Sequence, residues 1–158
     1  MEDARFEDGA DRPLRLVAFD AEDLKVISAL VQDAVLPMSE MKWEARNRRF
    51  ALLVNRFRWE DLEQAERMHR PVERVQSVLA FNDVEKVKVQ GLDPKEKDVV
   101  LSILSLSFEP TDEVSGRVII TLAGDGAIAL EVEALDAILR DVTRPYVDPA
   151  RRAPSHPL

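Results

Sequence analysis

Residues 118–132 read VIITLAGDGAIALEV. Apolar residues alternate on both sides of a Gly124-Asp125-Gly126 centre, the pattern of two antiparallel strands joined by a tight turn. A two-residue Asp125-Gly126 loop would set Leu122 against Ala129 and mix the two faces. A three-residue loop sets Leu122 against Ile128, Ile120 against Leu130 and Val118 against Val132. The hydrophobic register therefore predicts the three-residue loop, with Gly126 in the left-handed position. Glu131 and Glu133 then fall on the wetter face.

Working outward, Leu104, Leu106 and Phe108 alternate with Ser105 and Ser107, a half-buried strand that Pro110 ends. Asp93-Pro94-Lys95-Glu96 has the cap, proline and glutamate of a helix start, and predicts a short helix. Two further strands are read around Val75–Phe81 and Lys86–Gln90. Downstream, Leu135, Ile138, Leu139 and Val142 stand at helical spacing and predict a C-terminal amphipathic helix, ended by Arg144 and Pro145. Upstream, Met41 and Trp43 face Phe50, Leu52 and Val54 across a polar turn. A two-residue Asn47-Arg48 loop would pair Trp43 with Leu52 and Met41 with Val54. Residues 60–70 are polar, a loop or one or two helical turns. Nearer the start, Leu14 to Phe19 reads as a short strand. Asp20 is placed to cap a helix whose apolar face is Leu24, Ile27, Leu30, Val31 and Ala34, with Pro37 beyond its end.

The order predicts an α+β protein: a mainly antiparallel, curved sheet with one helix in the N-terminal half and one at the C-terminus. The strands from about 75 to 132 read as a meander. A small barrel of the pleckstrin-homology-like kind, plugged by its last helix, satisfies the same order. One domain over residues 13–144 is expected, between a flexible acidic tail (1–12) and a proline-rich flexible tail (145–158).

The chain has 158 residues, of which 46% are hydrophobic and 33% charged, enough for a solvated domain with a real core. It has no cysteine, which removes disulfides, thiol nucleophiles and thiolate-bound metals. Its two histidines, His69 and His156, have no metal-ligand spacing, and no calcium loop, P-loop, dinucleotide fingerprint or Gly-x-Ser-x-Gly elbow is present. No metal and no cofactor is expected. No apolar run reaches the ~18 residues of a membrane span, and the first residues are acidic, the wrong sign for a secretory leader. A cytoplasmic protein with no membrane partner is expected.

The net charge is −8, yet residues 42–74 carry nine bases and six acids, a net of +3. The acidic whole disfavours nonspecific DNA binding. Within the basic island Trp43, Arg46, Arg48, Arg49, Arg56 and Arg58 form the most distinctive group. Arginine suits bidentate recognition of carboxylate or phosphate. They are the candidate site for an acidic protein or a phosphate-bearing ligand. A plainer reading packs the tryptophans into the core and pairs the arginines with acids such as Glu44, Glu60 and Asp61. The leading expectation is a non-enzymatic interaction domain. The alternatives are a small enzyme working with carboxylates and arginine in a hidden pocket, for which Glu131 and Glu133 are the candidate pair, and an RNA-associated protein. Self-association as a homodimer through an exposed sheet edge is also open.

The stretches from Leu14-Arg15-Leu16-Val17-Ala18-Phe19-Asp20 to Ala34, Arg48 to Glu60, Phe108-Glu109-Pro110 and Gly126 to Glu133 resemble a family of small, mostly alphaproteobacterial proteins catalogued as a domain of unknown function. The resemblance covers residues 14–142. It implies a bacterial cytosolic protein and carries no site residue with it.

Overall fold

The computed structural model describes residues 12–147. The two tails expected at 1–12 and 145–158 therefore lie almost wholly outside the described residues. Tyr146 and Val147 are described, and instead of starting a loose tail they form a two-residue strand.

The chain runs β1 (Arg15–Ala18), α1 (Ala21–Leu30), β2 (Val35–Pro37), β3 (Met41–Glu44), β4 (Arg49–Phe57), α2 (Leu62–Arg67), β5 (Glu73–Phe81), β6 (Val84–Gln90), β7 (Val100–Pro110), β8 (Gly116–Leu122), β9 (Ala127–Val132), β10 (Ala137–Asp141) and β11 (Tyr146–Val147). All strand pairs are antiparallel, and the sheet is open, ordered β1-β10-β5-β4-β2-β7-β8-β9-β6. The expected α+β class with a curved antiparallel sheet is what the chain forms.

The sheet folds into two halves over one core. β7 spans both: Val100–Ser102 pair with β2, and Ile103–Pro110 pair with β8. At the other side, β5–β6 and β9–β10 bend together, joined at the bend by Asn82 N–H to Asp136 C=O (2.9 Å) and Glu133 N–H to Asp83 C=O (3.0 Å). Asp83 takes a left-handed φ of 56° there, a conformation that aspartate tolerates. Leu52, Leu79 and Leu139 from one half meet Ile120, Ile128 and Leu130 from the other, and α1 adds Leu24 and Ile27. Asp20 caps α1 as its position predicts, its Oδ1 accepting from Asp23 N–H at 2.8 Å. No helix among the described residues is long and apolar enough to cross a membrane.

Five details depart from the sequence expectation. The expected C-terminal helix is strand β10, lying between β1 and β5. Leu135, Ala137 and Leu139 are buried, a period of two. Eight residues form a weak isolated helix, whereas the unpaired backbone of β5 supplies a ladder of hydrogen bonds. Next, residues 75–132 are not a meander. After β5 the chain crosses to the far edge, where β6 pairs with β9. β6 carries Lys86 and Lys88, charges that discourage edge-to-edge pairing.

Third, Asp93–Glu96 makes turns and no helix. Asp93 Oδ1 accepts from Lys95 N–H (3.0 Å), and the polar residues that follow offer no face to bury. Fourth, the 118–132 hairpin sits two residues from the predicted register, pairing Val118 with Leu130 and Ile120 with Ile128. Its left-handed residues are Gly124 (φ 81°) and Asp125 (φ 69°), while Gly126 packs against Leu92 and Leu122. Fifth, the β3–β4 hairpin is likewise two residues out, pairing Met41 with Leu52 and Trp43 with Phe50. Residues 45–48 form its turn, and Arg48, not Asn47, is left-handed (φ 55°). In both hairpins every residue keeps its predicted face, because a slip of two preserves the alternation.

Strand and helix predict different mutational costs at the C-terminus. Leu139→Ala is expected to lower unfolding stability by about 3 kcal/mol and Val142→Ala by about 0.5 kcal/mol or less, since Leu139 is fully buried and Val142 is 42% exposed. Equal losses in urea denaturation would contradict the strand.

Candidate functional site

The six residues singled out from the sequence do not gather on one surface. Arg56 is 0% exposed, on the core side of β4. Its guanidinium donates two hydrogen bonds to Glu60 (2.9 and 2.8 Å), two to Asp141 from Nη2 (3.0 and 3.3 Å), one to Ser77 Oγ (3.0 Å) and one to the Phe57 carbonyl (3.3 Å). Each of the five N–H groups of an arginine thus has an acceptor. Ser77 Oγ in turn donates to Asp141 (2.7 Å), and Asp141 also accepts from Leu14 N–H (2.9 Å). One buried cation therefore ties β4, β5, β10 and the entry to β1 together.

The Arg56 and Glu60 charges are held in their ionised forms. Burial alone would push the Glu60 carboxyl up, but the hydrogen bonds and charge of Arg56 outweigh it and hold the carboxyl below its ordinary range. Burial likewise works against the Arg56 charge, and Glu60 and Asp141 overcome it, so its pKa is raised. Arg58 turns to Glu73 and to Asp61 (3.6 Å), and Arg70 grips Asp61 with two bonds of 2.7 and 2.9 Å. Asp61 is held below its ordinary range, chiefly by the Arg70 bond. Arg56 and Arg58 thus pair with Glu60 and Asp61, as the plainer sequence reading expected.

The rest of the group stays outside. Arg48 meets Glu133 at 2.7 Å, and its carbonyl accepts from Val84 N–H at 2.8 Å. Trp43 is 37% exposed at the rim of the core side, opposite Phe50, while Trp59 is tied by its Nε1–H to the Gln32 carbonyl (2.9 Å). Arg46 is exposed in the turn. Arg49 lies on the opposite side of the sheet, opposite Glu44. The Glu44 carboxyl is lowered, first by a hydrogen bond from Asn47 and also by the charges of Lys42 and Arg49.

That opposite side is a surface the sequence reading missed. Cross-strand partners share a face, so the register lays out its rows. Arg15, Arg140, Val78 and Leu53 lie side by side on β1, β10, β5 and β4. The adjacent row is Val17, Ile138, Ala80, Ala51 and Lys42, reaching β3. Ile138, Val78, Leu53 and Ala51 are half-buried, Val17 is 43% exposed, and Arg15, Arg140 and Lys42 are exposed. α1 packs on the β1 and β7 side, and the main contacts of β5 and β10 are with other strands. Arg15 and Arg140 stand directly opposite each other, and neither makes an ion pair among the described residues. Like charges so placed repel. Arg140 was hidden by the helix reading of 135–142, which gave it no sheet face.

An open cleft of about 740 Å³ lies beside the buried arginine, lined by Glu73, Asp141, Thr143 and Arg144 with Pro13 and Pro145. Glu131 and Glu133 do not share a pocket: Glu131 borders a smaller cleft with Glu85 and Arg117, and Glu133 is held by Arg48.

A family model described as a protein of unknown function, DUF2948, matches residues 14–156. The chain belongs to the DUF2948 family. No curated protein and no solved structure matches it. The match takes in every strand and helix described above, so the buried network and the open sheet face both lie within the DUF2948 region.

The network makes two expectations. Arg56→Met leaves Asp141 and Glu60 buried or partly buried without their cation, and should cost about 3–5 kcal/mol in denaturant unfolding. Because the folded-state pKa of Glu60 lies below its unfolded value, its stabilisation is complete above an ordinary glutamate pKa of about 4.3 and is lost as pH falls further. Glu60→Gln should therefore flatten the decline of stability between about pH 5 and pH 3. An unchanged slope would remove Glu60 from the network's energetics.

Proposed function

We propose that this protein is a non-enzymatic interaction domain that docks an acidic protein partner on the open face of the β1-β10-β5-β4-β3 sheet. One observation carries the reading: an apolar, half-buried stripe flanked by Arg15, Arg140 and Lys42 on a protein of net charge −8. Opposed arginines without acids beside them gain from an anionic partner, and the apolar stripe gains from being covered. On this reading the docking surface is the open sheet face and not the Trp43–Arg58 group. Arg56 and Arg58 serve the fold; Arg49 stays on the docking face together with Lys42. The candidate acids of an enzyme each face a base: Glu133 meets Arg48, and Glu131 lies between Lys88 and Arg117.

Affinity capture from a lysate of cells that express the protein, at low salt, tests the reading with wild type beside Arg15→Glu/Arg140→Glu. Both side chains are exposed, so the variant should melt like wild type. An acidic protein retained by wild type and lost by the variant is the expected result. Capture of nucleic acid, or of the same proteins by both forms, would overturn it.

A further inference from the structure

We infer that the partner segment received by this face is an acidic amphipathic helix lying diagonally across the strands. The inference rests on the docking reading above and specifies its occupant. Three features of the face select a helix.

The first is that β10, β5 and β4 are each paired on both sides. Their backbone groups are already hydrogen-bonded, so an extended segment can pair only at the outer edges of β1 and β3, each bonded on one side alone among the described residues, and there it leaves the aliphatic stripe on β10, β5 and β4 uncovered. A segment that satisfies its own backbone has no such need, and a helix does so.

The second is the chemistry of the centre. Ile138, Val78, Leu53 and Ala51 are aliphatic and present neither hydrogen-bond donors nor aromatic rings. Bases stack on aromatic side chains and phosphates need donors throughout. Aliphatic side chains instead suit the apolar stripe of a helix, with anchors at i, i+3, i+4 and i+7.

The third is the placement of charge. Arg15 and Arg140 mark one corner of the stripe, and Lys42 and Arg49 mark the opposite corner, where Glu44 offsets part of their charge. From Arg140 to Lys42 is three strand spacings across and two residues along, roughly 16 Å. On a helix that is about ten or eleven residues, or three turns. The segment should therefore carry two acidic clusters three turns apart on the flanks of one apolar stripe, the stronger cluster meeting Arg15 and Arg140.

Two synthetic peptides of roughly 16 residues, four to five turns, test this on the full chain. One has glutamates in the two predicted positions flanking a leucine stripe. The other has the same composition with the helical periodicity scrambled. Binding is read by fluorescence anisotropy at low salt, and contact by methyl NMR shifts. The patterned peptide should bind about tenfold or more tightly than the scrambled one. It should shift the Ile138, Val78 and Leu53 methyl signals and weaken by about tenfold or more with Arg15→Glu/Arg140→Glu. Val78→Ser, a change on the outer face that leaves both arginines in place, should weaken it as well. Equal binding of the two peptides, binding of neither, or shifts confined to other surfaces would overturn the helix. If either of the first two occurs while capture from lysate still depends on Arg15 and Arg140, the docking reading stands and only its helical occupant fails. Loss of both dependences removes both.

Discussion

A guanidinium with no contact with water has to find an acceptor for each of its N–H groups inside the protein, and Arg56 organises this fold around that requirement. Glu60 comes from the turn just after its own strand, and the two carboxylate oxygens meet the two terminal nitrogens. Ser77 comes from the neighbouring strand and Asp141 from a strand 85 residues away. A cation stripped of water is tolerated only when paired and hydrogen-bonded, and leaving it half-satisfied costs more than never burying it. Asp141 can reach Arg56 and Ser77 together only if β10 lies against β5. Its second oxygen then takes the Leu14 amide, which fixes where β1 begins. The charge pair at the centre and the backbone ladder at the edge thus favour the same arrangement.

That arrangement has a consequence on the other side of the sheet. β10 sits between β1 and β5, so Arg140 falls opposite Arg15 and Ile138 falls between Val17 and Ala80. One side of these strands is closed by β7, β8, β9 and α1, which supply the rest of the core. The other side keeps an aliphatic stripe and positive corners. A mainly antiparallel sheet commonly has a polar outer face; here the middle of that face is aliphatic. Acidic charge elsewhere on the molecule does not cancel a local patch, because screening limits its reach to about 8–10 Å at physiological salt.

Much of this was legible in the residues. Alternation placed Phe50, Leu52 and Val54 on one face and Ala51 and Leu53 on the other, and the same held for residues 118–132. Asp20 with Leu24 and Ile27 announced α1. Register was not legible, since a slip of two residues leaves the alternation unchanged and only turn geometry and packing choose between the alternatives. Residues 135–142 misled for a related reason: Leu135, Ile138, Leu139 and Val142 fit helical spacing, while Leu135, Ala137 and Leu139 fit strand spacing equally well. Arg56 and Arg58 misled because charge in a basic island suggests surface, and nothing in their neighbourhood marks Asp141 as a partner.

The amino-acid sequence by itself determined the class of fold, the faces of most strands, the first helix and the absence of thiol chemistry, because these depend on residue types and on spacings within one segment. Only the tertiary structure decided the strand order, both hairpin registers, the identity of β10, the burial of Arg56 and the meeting of Arg15 with Arg140. Each of those is settled by a contact between segments far apart in the chain, where the energy of pairing backbone groups and burying a charge outweighs local preference.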